Sequence, residues 1–88
     1  MSLSSRQKSN REYLGKVIAH EIKELILSKD ENAESEVTVK IGLTQCAVTA
    51  FTSVHLTLIE VSRIVSRIIS PFDLTYVEKP YSMYKKEN

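Results

Sequence analysis

Apolar positions along the chain fall into four blocks with different periods. In the first, Leu14, Val17, Ile18, Ile22, Leu25 and Ile26 draw one stripe at a 3.6-residue period, with Glu12, Lys16, His20, Lys23 and Glu24 largely on the other side. This predicts a helix from about Asn10 to about Lys29. Ser9-Asn10-Arg11-Glu12 matches the capping box S-x-x-E that satisfies two backbone donors at a helix start. Gly15 inside this helix costs roughly 1 kcal/mol relative to Ala, and either permits a close crossing or is tolerated in the first turn. In the second block, Val37, Val39 and Ile41 alternate with Glu36, Thr38 and Lys40, the pattern of a half-buried strand ended by Gly42. The acidic stretch 28–36 forms the loop before it.

The third block, residues 43–70, supports two readings. Ala47, Phe51, Val54, Leu58, Val61, Val65 and Ile68 recur at spacings of four and three, an unbroken heptad. Against this, Val54, Leu56 and Leu58 alternate with Ser53, His55 and Thr57, and β-branched residues are frequent, which favours a strand. From Leu43 to Ser70 there is no Gly, Pro, Asn or Asp, so a hairpin would have to turn on Ser, Thr or Gln. The pattern therefore favours one long helix, spanning roughly 39 Å and closed at Ser70-Pro71. The fourth block, Phe72 to Val77, alternates again and reads as a second strand stopped by Pro80.

The expected architecture is α+β and mainly helical, in the order helix–strand–long helix–strand. Residues 1–9 form a flexible polar arm, 10–79 a single small domain and 80–88 a frayed tail. A six-residue strand covers roughly 20 Å, about half the reach of the long helix. The two strands are therefore expected to pair between subunits of a dimer, with the heptad faces packed together. Two family layouts are similar in outline. The long central helix is similar to that of a histone fold, whose third helix is not apparent after Pro71. A helix–strand–helix chain with basic ends is similar to a KH-type RNA binder, but Gly42-Leu43-Thr44-Gln45 lacks the second glycine of the GXXG loop.

Composition narrows the functional classes. The chain has 88 residues, 42% hydrophobic and 26% charged, with a single Cys and no Trp. That is globular rather than disordered. A chain this short buries only about 60–65% of its unfolded surface, and one Cys supplies neither a disulfide nor a zinc framework. Partner subunits are the expected source of further burial. The first ten residues lack the apolar core of a signal peptide, and Glu60, Arg63 and Arg67 interrupt the most apolar stretch. An intracellular protein is expected, cytoplasmic with a nuclear location also open, and without a membrane role.

Charge is segregated. Residues 1–20 carry Arg6, Lys8, Arg11 and Lys16 against Glu12, a net of +3, and residues 21–39 net −4. The basic end is small against the 6–10 phosphate contacts of duplex binders.

Candidate chemistry is sparse. His20, His55 and Cys46 are not at metal-ligand spacing. The Asp30, Asn32, Glu34 alternation lacks the glycine and the final glutamate of a calcium loop. Two glycines allow neither a P-loop nor a dinucleotide motif. Cys46 could be activated at the start of the long helix, but it reads first as a buried structural thiol. No catalytic residue, metal or cofactor is expected.

The expected function is a small non-enzymatic interaction or oligomerisation module. It would pair with a second copy or dock into a larger assembly through Phe51, Val54, Leu58, Val61 and Val65, with Tyr81, Met83 and Tyr84 as further partner contacts. The alternative is a nucleic-acid-associated regulator using Arg6, Lys8, Arg11, Arg63 and Arg67.

Overall fold

The computed structural model of the chain describes residues 5–77, with residues 5–10 described for the backbone alone. The elements are α1 (Ser5–Lys29), β1 (Ser35–Ile41), β2 (Gln45–Thr52), α2 (Leu58–Ile69) and β3 (Thr75–Tyr76). The strands form one sheet in the order β1-β2-β3, β1 antiparallel and β3 parallel to the central β2. The two helices cover one face of this sheet. Lys29 meets Glu60 and Glu21 meets Arg67, so the helices run antiparallel.

The first helix follows its stripe. Leu14, Ile18, Ile22 and Ile26, four residues apart, are all buried, as expected for one face of a 3.6-residue repeat. They meet Cys46, Val48 and Ala50 from the inner face of β2 and Val61, Val65 and Ile69 from α2. The helix already starts at Ser5, ahead of Ser9, so Ser9 is not its cap. Strand β1 lies where the alternation puts it, with Val37, Val39 and Ile41 half-buried and Glu36, Thr38 and Lys40 exposed.

The expected order of elements is overturned between residues 43 and 70. Residues 45–52 are a strand, 53–57 a connection, and only Leu58–Ile69 is helical. Three local features account for the difference. Gly42 opens a turn instead of ending an isolated strand: its N–H donates to the Gln45 carbonyl at 2.8 Å, and Ile41 faces Cys46 across the hairpin. Cys46, Val48, Ala50 and Thr52 alternate inward with Gln45, Ala47, Thr49 and Phe51 outward, a period-2 pattern that sets Ala47 and Phe51 of the apparent heptad on the outer sheet face. Finally, Thr57 and Glu60 form a reciprocal capping box that fixes where α2 begins.

A twelve-residue α2 is roughly 18 Å long, short enough to return the chain to the sheet. Thr75 N–H and Val77 N–H donate to the carbonyls of Thr44 and Cys46, closing a parallel β2–α2–β3 unit. The three strands therefore pair within one chain, and the expected pairing of β1 with the last strand across a dimer is replaced by β1–β2 and β2–β3 ladders. At the end of α2, Ser70 keeps right-handed α geometry. The helix stops because Pro71 has no N–H to continue it. The strand expected over 72–77 shortens to Thr75–Tyr76, because residues 70–73 form a turn.

Candidate functional site

Strand β1 is an edge strand, and its hydrogen-bond phase determines what that edge presents. Residues opposite one another in an antiparallel ladder alternate between bonded and non-bonded pairs. The Gly42 N–H to Gln45 carbonyl bond sets the phase. Lys40–Ala47, Thr38–Thr49 and Glu36–Phe51 are then the bonded pairs of the β1–β2 register. Ser35, Val37, Val39 and Ile41 consequently direct their N–H and C=O groups away from β2. Among the described residues, no strand pairs with this side. The ladder is uninterrupted from Ser35 to Ile41 and holds no proline. Two common devices that blunt an edge strand, a bulge and a proline, are therefore missing here.

An open groove of about 590 Å³ runs along this edge, between it and α1, lined by Arg11, Gly15, Lys16, Val37, Val39 and Ile41. Its floor is apolar, and its rim carries charge of both signs, since Glu12 also lines it. Gly15 of α1 faces β1 across this groove. A Cβ at this position would already stand 3.8 Å from Ile41 Cδ1 and 3.9 Å from Val39 Cβ, so alanine fits in ordinary contact and a larger side chain would reach into the groove. Arg11 anchors one end, donating to the carbonyls of Gly42 at 2.6 Å and Leu43 at 3.2 Å. The first turn of the described α1 surface is thereby tied to the hairpin turn.

The sequence-derived association residues do not form one face. Val61 and Val65 are fully buried in the chain's own core, so this fold leaves them no surface to offer a partner. Phe51 is half-buried on the outer sheet face, Val54 is half-buried in the connection and Leu58 is 41% exposed at the start of α2. Tyr81, Met83 and Tyr84 lie outside the described residues. Of the basic set, the side chains of Arg6 and Lys8 are likewise outside the described surface. Arg11 is engaged at the hairpin turn, Arg63 is exposed and Arg67 lies 3.8 Å from Glu21. Arg11 and Glu21 are roughly 15 Å apart along α1, so Arg11 and Arg67 occupy separate regions.

The reactive groups are placed as follows. Cys46 is not at a helix start; it opens the buried face of β2 as a free thiol, and burial pushes its pKa up, away from the reactive thiolate. His20 is exposed, 3.9 Å from Glu24 on the same helix face. His55 is exposed, and its carbonyl accepts from Lys29. Glu60 has three hydrogen-bond contacts: it bonds Lys29 Nζ at 2.8 Å, the Thr57 hydroxyl at 2.8 Å and the Thr57 N–H at 3.2 Å. These bonds, that from Lys29 foremost, hold its pKa below the ordinary carboxylate value. They join α1 to the first turn of α2, a structural role. Among the described residues, no group of three or more His, Cys, Asp or Glu is placed to hold a metal ion, and no helix is long and apolar enough to cross a membrane.

The groove and edge were missed from sequence. The signal was present in the alternation Glu36 to Lys40, but an edge is defined by strand order, which the long-helix reading concealed. Comparisons with protein-family models, curated proteins and solved structures gave no match.

Proposed function

We propose that the chain is a non-enzymatic protein-association module that accepts an extended polypeptide at the outer edge of β1. The supporting observation is the coincidence of outward backbone groups at Ser35, Val37, Val39 and Ile41 with an apolar groove lined by three of those same residues. A strand added there gains backbone hydrogen bonds from the edge and apolar contact from the groove, the two sources of affinity in strand addition. The exposed rim favours an occupant with alternating apolar and polar residues. A reducing intracellular compartment suits the free Cys46 thiol.

Selecting a phage-displayed library of linear peptides on the immobilised chain tests this reading. Enriched peptides should alternate apolar and polar residues, compete with one another and lose binding to a Val39→Pro variant. That variant removes an outward N–H and trims the groove lining at Val39, while the β1–β2 ladder keeps its bonds and circular dichroism should show the fold intact. Lack of enrichment, or binding that persists in a folded Val39→Pro chain, refutes the proposal.

A further inference from the structure

The occupant of this edge can be argued from β1 itself. The strand reads Ser35-Glu36-Val37-Thr38-Val39-Lys40-Ile41. Folded back on a copy of itself about Thr38, it is complementary at its central pairs. Thr38 faces Thr38 of the copy, Val37 faces Val39, Glu36 faces Lys40 and Ser35 faces Ile41. We infer that the edge of β1 pairs antiparallel with β1 of a second copy, in the single register centred on Thr38. The inference rests on the association reading above and names the partner.

Backbone phase permits this register. Val37 and Val39 both direct their backbone groups outward, so opposing them creates hydrogen-bonded pairs, each exchanging two bonds. Glu36, Thr38 and Lys40 then fall at non-bonded pairs, where side chains approach most closely. All three are on the exposed outer face. Opposite charges meet twice about the two-fold axis, and the β-branched threonines meet on it. A shift of one residue would set outward groups against inward ones. A two-residue shift keeps the phase, but it moves Thr38 opposite Glu36 or Lys40 and shortens the paired length. An exposed edge lysine ordinarily discourages pairing; here the copy's Glu36 answers it.

Charge reversal tests the register without disturbing the chain's own sheet, because Glu36 and Lys40 face Phe51 and Ala47 across β1–β2 and neither of these is charged. The mass of the full chain is followed by sedimentation across micromolar concentrations at low salt. Wild type should reach twice the 10.0 kDa chain mass. Glu36→Lys alone sets lysines opposite lysines, and Lys40→Glu alone sets glutamates opposite glutamates. Each should weaken association by roughly fivefold or more. The double variant should recover it, and so should an equimolar mixture of the two single variants, as a mixed dimer. Recovery on mixing reports a contact between chains, which altered folding cannot imitate. A wild-type chain that stays monomeric, or single variants that associate as wild type does, overturns the inference. If the chain is monomeric yet still selects Val39→Pro-sensitive peptides, the edge is a docking site for another protein; if both tests fail, the association reading falls as well.

Discussion

Replacing Thr57 with Ala isolates the feature that divides residues 43–70 into a strand and a helix. The Thr57 hydroxyl accepts the Glu60 N–H at 3.2 Å and donates to the Glu60 carboxylate at 2.8 Å. The variant removes both interactions and leaves the Thr57 N–H to Glu60 bond and the Lys29–Glu60 ion pair in place. Loss of an N-cap hydroxyl costs about 1 kcal/mol. Unfolding entropy near the midpoint is roughly 2.1 cal/mol/K per residue, so for 88 residues a loss of that size lowers Tm by about 5 °C. Thermal unfolding followed by far-ultraviolet circular dichroism measures it directly. Thr57→Ser keeps the hydroxyl and should recover most of the loss. A Thr57→Ala chain melting within about 1 °C of wild type would show that α2 does not start at this cap, and a helix running continuously through residue 57 would account for it.

Other perturbations probe separate parts of the structure. Ile22 is fully buried, so Ile22→Ala should cost about 3 kcal/mol and Ile22→Val about 1 kcal/mol, read from urea unfolding midpoints at constant m. Gly15→Ala should stabilise the chain by up to about 1 kcal/mol and so raise Tm, because the added Cβ meets only ordinary contacts with Ile41 and Val39; Tm lower than wild type would contradict the spacing of α1 over β1. Glu60 has a depressed pKa in the folded chain. Its stabilising contribution is therefore present above the unfolded carboxylate value of 4.5 and lost as pH falls through the lower folded value. Glu60→Gln should flatten the acid limb of stability against pH, and an unchanged limb would contradict the Lys29–Glu60 link. Cys46 should react with a thiol reagent only at the rate of opening or unfolding, since it is buried with a raised pKa; rapid labelling of the native chain would place it elsewhere.

The legible parts of the fold were those in which one element carries its own complete period. The α1 stripe holds from Leu14 to Ile26 and the β1 alternation from Ser35 to Ile41, and each buries what its spacing implies. Residues 45–69 were misread because two periods abut and share residues: Ala47 and Phe51 belong to a strand, Val61 and Val65 to a helix, and their four-and-three spacing spans the boundary without a break. The turn signal is Gly42, one position before the stretch from Leu43 to Ser70 that holds no Gly, Pro, Asn or Asp. Thr57-Leu58-Ile59-Glu60 carried the cap motif that separates the two elements. The candidate site was less accessible, because no residue of β1 reveals that this strand pairs on one side only. That depends on β3 returning to the far side of β2, and β3 is two residues long. Whether Glu36 and Lys40 sit on an edge is thus decided by contacts distant in sequence.

The most direct measurement of the central claim is residue-resolved amide hydrogen exchange along β1. The Thr38 N–H is directed toward β2 and should exchange slowly at every concentration, serving as an internal reference. Val37 and Val39 direct theirs outward. The account predicts that these two become protected as concentration rises and the mass doubles, and that their protection is lost together on dilution. Rapid exchange of Val37 and Val39 beside a slow Thr38, at concentrations where the chain is fully associated, would contradict pairing at this edge.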